Sequence, residues 1–262
     1  MPDDPTLTFD HTLGALGALL DRCTADGDRL GYFAALYEAV TNTVRDRAHD
    51  GQFADAARME RFASLFARRY LDAVDAWRAG APCADSWRAA FRASQAWRPI
   101  ILQHLLLGIN AHINLDLGVT VAAVGAGGPI EALRADFDAV NDVLGQLVNG
   151  CQGALDQVSP WLSLADRIGG PGDETLIRFS LIAARRQAWS VATQLSGRTG
   201  PELDRAIKGV DTRTAVVAGA IAHPGLAAST VLLAVRARER AQPAEVMRLL
   251  RAVRPDPVAR HQ

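Results

Sequence analysis

Gln103-His104-Leu105-Leu106-Leu107-Gly108-Ile109-Asn110-Ala111-His112-Ile113-Asn114-Leu115-Asp116-Leu117-Gly118 sets amides, imidazoles and a carboxylate into one of the most apolar stretches of the chain. Leucine, isoleucine and alanine fill the gaps, so a helix built here is buried around most of its circumference. A buried polar group without a partner costs about 1–3 kcal/mol, and an unpaired charge costs more. These side chains must therefore meet a polar network, a metal ion or a ligand. The stretch reads as the central helix of an all-α fold and as its candidate site.

Helical periodicity continues outward on both sides. Leu13, Leu16, Leu19 and Leu20 give a first inward face, and Leu30, Phe33, Ala34, Tyr37 and Val40 a second, with Asp28 as its cap. A third helix, from about Phe53 to Trp77, carries Phe62, Leu65, Phe66, Tyr70 and Val74, and a short one opened by Asp85 or Ser86 carries Trp87 and Phe91. Beyond the central helix, Pro129 starts a helix running towards Val148, and Asp173 or Thr175 leads into another through Leu195. Gly200-Pro201 and Gln242-Pro243 start the last ones, with His223-Pro224-Gly225 as a break. Val119–Val124 is the one β-like run. The pattern predicts a single helical bundle of about nine to eleven helices. It divides into an N-terminal helix over 1–27, a helical domain over 28–240, and a C-terminal helix with a fraying tail over 241–262. Gly169–Gly172 is the best candidate for an internal boundary, although a four-residue loop joins packed helices equally well.

The formal net charge is −1 over 262 residues, which gives no electrostatic reason to expect nucleic acid or an anionic membrane as a partner. Arginine supplies nearly all the basic charge, with Lys208 the one lysine. Cys23, Cys83 and Cys151 are far apart and odd in number, against a disulfide framework or a thiolate zinc site. The N-terminus lacks the basic and apolar regions of a signal peptide, and no run of about 18 uninterrupted apolar residues occurs. A cytoplasmic protein with a small-molecule ligand is expected, its oligomeric state open.

Helix geometry sorts the polar groups. Successive residues turn about 100° and rise about 1.5 Å, so His112 and Asp116 share a face at a spacing that serves one metal ion or one acid/base pair. His104 stands roughly 18 Å from Asp116 along the same helix and belongs to another part of any cavity. Asn110 and Asn114 form a second stripe on another face, which implies packing on both sides. Gly108 suggests close approach by a neighbour. On the next helix, Asp138 with Asn141 has the spacing to face His112 and Asp116 and complete a divalent metal site. Asp136 reads as a surface charge. Tyr37 and Glu38 put polar tips on an otherwise apolar helix. Arg185 is a candidate anchor for an anionic group, with Trp189 as a stacking wall one turn away. No Walker-type loop and no Gly-x-Ser-x-Gly elbow is present. The bland alternative is that Asp116 merely holds His112 and the asparagines satisfy neighbouring backbone.

The segment His104-x3-Gly108-x-Asn110-Ala111-His112-Ile113-x2-Asp116-Leu117 resembles the signature of an uncharacterised bacterial family, common in actinobacteria and filed as a domain of unknown function. Tyr37-x3-Thr41, Phe66-x3-Tyr70-Leu71, Asp138-x2-Asn141 and Ala184-Arg185-x2-Ala188-Trp189 resemble that family's other blocks, over roughly residues 28 to 240. Gly118 stands where the family pattern has proline. The resemblance implies one helical domain, a soluble enzyme, and a site at the matched polar residues, without naming a reaction.

Together these readings predict an enzyme acting on a small, partly apolar molecule by hydrolysis, cyclisation or elimination, in specialised metabolism. His112 is its base or metal ligand, Asp116 orients it, and His104 is a second acid/base. Asn110, Asn114, Arg185, Trp189, Tyr37 and Glu38 contact substrate. Two alternatives stand beside it: a non-catalytic helical binding protein, and a metal-dependent oxidase that needs four or more converging ligands.

Overall fold

Thr8 accepts a hydrogen bond from the His11 amide, and Gly27, at φ 63°, closes the same helix in the left-handed conformation that favours glycine. Between them runs α1 (Phe9–Asp26), with Leu16, Leu19, Leu20 and Cys23 buried. The structure, a computed structural model, describes residues 4–126, 128–159 and 173–254, apart from the side chains at 141, 142, 145, 148, 149, 173–182 and 227. There follow α2 (Gly31–His49), α3 (Ala56–Arg78), α4 (Asp85–Gln95), α5 (Ile101–Ala111) and α6 (Gly118–Val124). The second half comprises α7 (Arg134–Asp156), α8 (Asp173–Leu195), α9 (Gly200–Ala222), α10 (Leu226–Arg236) and α11 (Pro243–Arg251). The protein is an all-α bundle. Its described residues form eleven α-helices and no strand. Gly169–Gly172, the candidate boundary, lies outside the described residues.

α5 and α6 are joined by a π-helical turn, His112–Leu117, into one continuous helix, Ile101–Val124. Its length and composition would allow it to cross a bilayer, but 78% of its most apolar window is buried inside the molecule. It is the core helix. α2, α4 and α9 pack on α5; α3, α8 and α9 pack on the π turn; α3 and α8 pack on α6. Val119–Val124, the β-like run, is therefore helical: it continues a formed helix and packs against α8, and such context overrides β propensity.

Two long-range contacts position the elements around that axis. α4 has no side-chain cap of its own. Asp211 of α9 supplies one, accepting from the amides of Asp85 and Ser86 at 2.9 and 3.0 Å. Both terminal helices belong to the core. Leu16 and Leu19 of α1 and Val246, Met247 and Leu250 of α11 are buried in the main cluster. The chain is thus packed through α11, and the tail beyond 254 lies outside the described residues.

Candidate functional site

His112 opens the π turn, a widening of the helix by one residue that is found often at functional sites. The widened turn still brings the i, i+4 pair together: Nδ1 of His112 lies 3.2 Å from Oδ2 of Asp116. The same oxygen accepts from Nε1 of Trp87 at 2.9 Å, and the Asp116 carbonyl accepts from the Thr120 hydroxyl at 2.8 Å. Asp116 is thus fixed at both ends of the residue. Its carboxylate holds the ring proton on Nδ1, which leaves Nε2 as the acceptor nitrogen. Nε2 is buried and has no hydrogen-bond partner among the described residues.

Aromatic rings surround the imidazole. Phe66 stacks on it with centroids 3.5 Å apart, and Tyr37 meets it edge-on at 4.4 Å. Phe33, Trp87 and Tyr70 follow at 5.5, 6.1 and 6.4 Å. Burial lowers the pKa of His112 below its ordinary value, and the hydrogen bond and charge of Asp116 only partly offset this. The ring is neutral at neutral pH. Burial likewise raises the Tyr37 phenol well above its usual range, so it stays protonated.

This array forms part of the wall of a cavity of about 160 Å³, enclosed by α2, α3, α5, the π turn, α7 and α8. Tyr37, Phe66, Leu105, Ile109, Leu144 and His112 are among its walls, and Thr41, Cys151, Gln152 and Arg185 add polar atoms. An apolar cavity of about 150 Å³ is large enough for a benzene ring. Leu102, Leu106, Leu144, Cys151 and Gln152 are half-buried, so the cavity reaches the surface between α5 and α7.

Several predicted site residues lie elsewhere. Glu38 is buried but turned to α11, where Arg251 pairs with it at 2.5 and 2.8 Å. Asn110 donates to the Thr214 carbonyl of α9 at 3.0 Å and accepts from Asn114 at 2.9 Å. Neither amide lines the cavity. His104 lines a second hollow that shares no residue with the first. Asp138 is exposed and paired with Arg134 at 2.7 Å, whereas Asp136 is the buried one, accepting from Arg58 and from the Ala54 amide at 2.7 Å each. The side chain of Asn141 lies outside the described residues. Of the predicted metal set, His112 and Asp116 stand together, and Asp138 faces outward to Arg134 instead of joining them. Among the described residues, no group of three or more His, Cys, Asp or Glu side chains converges as a metal site.

Arg185 does reach the cavity. It is buried, donates to the Phe137 carbonyl at 2.5 Å, and lies over the Phe137 ring at 4.2 Å. Burial pushes its pKa down to about 10, which leaves it charged. Trp189 packs on the other partners, Phe137 at 5.0 Å and Arg134 at 4.9 Å, and does not line the cavity. The sequence reading missed Trp87 as the second donor to Asp116, and Phe66 as the plate under His112. Neither carries a local signal for that role, because both partners arrive from other helices.

No curated protein and no solved structure matches the chain. One family model does match, over residues 9–224, from α1 through the end of α9, and so spans every element that encloses the cavity. The chain therefore belongs to the family of unknown function DUF5995.

Proposed function

We propose that the chain is an enzyme that binds a small, largely apolar molecule in the His112 cavity and moves a proton through His112. One observation carries this reading: a neutral imidazole, held by a carboxylate in the wall of a largely apolar cavity, keeps its second nitrogen without a partner among the described residues. A histidine held in one tautomer by a carboxylate is suited to general acid–base work near neutral pH. Of the expected reactions, elimination and cyclisation fit better than hydrolysis. Asn110 and Asn114, expected to contact substrate and the natural groups to polarise a scissile carbonyl, are bonded to α9 and to each other, outside the cavity. Arg185 supplies the positive charge at the wall for a developing or resident negative charge. In this reading the protein works in the cytoplasm of an actinobacterium, in specialised metabolism, without nucleic acid or membrane as partner.

Non-catalytic binding is the second reading. It is favoured by the Trp87 bond to Asp116, which ties the pair into the core as a structural network would. The two separate in deuterated water. Cyclohexanone, a ring-sized carbon acid, is added to the full chain and exchange of its α-hydrogens is followed by NMR. Base chemistry at His112 gives exchange above the buffer rate that is lost in His112→Gln. Saturable binding of cyclohexanone without enhanced exchange supports the binding reading, and no binding at all removes both.

A further inference from the structure

The start of α2, the start of α5 and the turn between α10 and α11 enclose a second cavity, about 190 Å³, lined by Arg29, Tyr32, His104, Arg236, Glu239 and Arg240 among others. Three guanidinium groups meet one carboxylate there. That carboxylate is already engaged: Glu239 accepts from the Ile101 amide at 3.2 Å through each oxygen and from the Ser159 hydroxyl at 2.6 Å. It closes the N-terminus of α5 and, as the one carboxylate of the lining, offsets only part of the charge of the three arginines. None of Arg29, Arg236 and Arg240 forms an ion pair among the described residues.

Two of the three are held in place by backbone. Arg29 Nη1 donates to the Ala96 carbonyl at 2.7 Å. Arg236 donates through Nε to the Trp97 carbonyl at 2.8 Å and through Nη1 to the Glu239 carbonyl at 3.0 Å. A guanidinium has five N–H donors in a fixed fork, so both keep donors for a further acceptor. Arg240 is exposed at the rim and donates to nothing in the described residues. His104 sits in the field of the same arginines. It is nine-tenths buried, and its pKa is pushed down to about 3, first by burial and then by the charges of Arg29 and Arg236.

We propose that this cavity binds a small organic anion, whose carboxylate or phosphate group sits between Arg29 and Arg236 with Arg240 at the entrance. Paired guanidinium forks suit the planar or tetrahedral oxygens of such groups, and half-buried arginines that outnumber the carboxylates facing them are the arrangement an anion completes. The cavity is polar where the His112 cavity is apolar, and the two share no residue, so this inference does not rest on the function proposed above.

Calorimetric titration of the full chain tests it, with inorganic phosphate and with succinate at constant ionic strength in chloride. One-to-one saturable binding of at least one anion is expected, and which one binds separates phosphate from carboxylate ligands. Losing one charge-assisted contact weakens binding by about tenfold or more in Arg29→Gln and Arg236→Gln. Both arginines also hold backbone, so Arg240→Gln serves as the variant that leaves the fold untouched. It is expected to weaken binding about two- to fivefold with the melting temperature unchanged. The ring signals of His104 should shift on saturation. Failure of both anions to saturate, or equal binding by wild type and Arg240→Gln together with either inner variant that remains folded, overturns the proposal. If both inner variants unfold, unchanged binding by Arg240→Gln overturns it alone.

Discussion

His112 and Asp116 are joined by a 3.2 Å contact across a π-helical turn, with each side chain only 3–4% exposed. Their bond is shared, since Trp87 donates to the same oxygen. Asp116→Asn leaves two donors for one carbonyl oxygen and can turn an N–H towards Nδ1–H. Loss of charged hydrogen bonds of this kind costs about 1.5–3 kcal/mol. Trp87→Phe removes one donor but leaves the His112 bond, and should cost less in hydrogen bonding than Asp116→Asn. Urea denaturation of the two variants checks the order. Wild-type stability in Asp116→Asn would show that the pair is not what holds the ring.

Acid should destabilise the fold before its carboxylates titrate. Burial puts His104 at about 3 and lowers His112 as well, whereas an unfolded imidazole titrates near 6.5. Below pH 6.5 the unfolded chain binds protons that the folded chain refuses, so stability falls as pH is lowered. Each histidine adds a slope that approaches about 1.4 kcal/mol per pH unit. The stability these groups confer is complete above pH 6.5 and declines on the acid side. Urea midpoints measured from pH 7 to pH 5 should fall steadily, and His104→Phe should flatten the profile. A level wild-type profile would mean that neither ring is buried neutral.

The pair at 112 and 116 was legible because four residues is the repeat of a helix face, and the apolar surroundings forced it inward. The helix count was legible for the same reason, together with proline and glycine starts and stops such as Pro201 and Gly225. What each face would meet was not. Trp87 and Phe66 reach His112 from α4 and α3, contacts that no local pattern encodes. A cavity is a volume where side chains fall short of one another, and it follows only from packing. The swap between Asp136 and Asp138 is different, because a signal was there. Asp136 lies on the stripe of Val140, Val143 and Leu147, at spacings of four, seven and eleven, and all three valine and leucine side chains are buried. Asp138 lies about 200° around the helix from it.

That stripe gives its own prediction. Asp136→Ala strips an acceptor from the Ala54 amide and leaves Arg58, itself 27% exposed, with only its 4.0 Å contact to the exposed Asp55. Breaking a buried pair costs about 3–5 kcal/mol, and the partial exposure of Arg58 brings the expectation to about 2–3 kcal/mol. Asp138→Ala removes a surface pair with Arg134 and a charge that acts on Arg185 from a distance, and should stay within about 1 kcal/mol of wild type. Thermal melts of the two variants check the contrast. The reverse order would put Asp138, and not Asp136, in the interior.

Gly118 is where α6 and α8 touch. A Cβ there would lie 2.7 Å from Val191 Cγ1 and 2.9 Å from the Ala188 carbonyl oxygen, and the backbone cannot swing aside as a side chain tip can. Gly118→Ala should therefore cost about 1–3 kcal/mol by overpacking, despite the better helix propensity of alanine. Gly14, inside α1, has nothing within 4 Å of the same position. Gly14→Ala should instead gain about 0.5–1 kcal/mol. Opposite signs in chemical denaturation are the expected outcome. Equal effects would show that the α6–α8 contact is looser than described.

Ala63 lines the His112 cavity from α3 and is buried. A larger side chain at this position meets either empty volume or a closed wall, and the sign of its effect tells which. Ala63→Leu adds three carbons, each contributing about 0.8 kcal/mol when buried, less about 0.5–1 kcal/mol for fixing the side chain. Filling the cavity should thus stabilise the protein by about 1–2 kcal/mol. In a close-packed wall the same change would destabilise it by about 1–3 kcal/mol. Occupation should also exclude ligand, so binding of cyclohexanone should fall together with the rise in melting temperature. A variant that is destabilised and still binds would place the ligand elsewhere and leave His112 a purely structural residue.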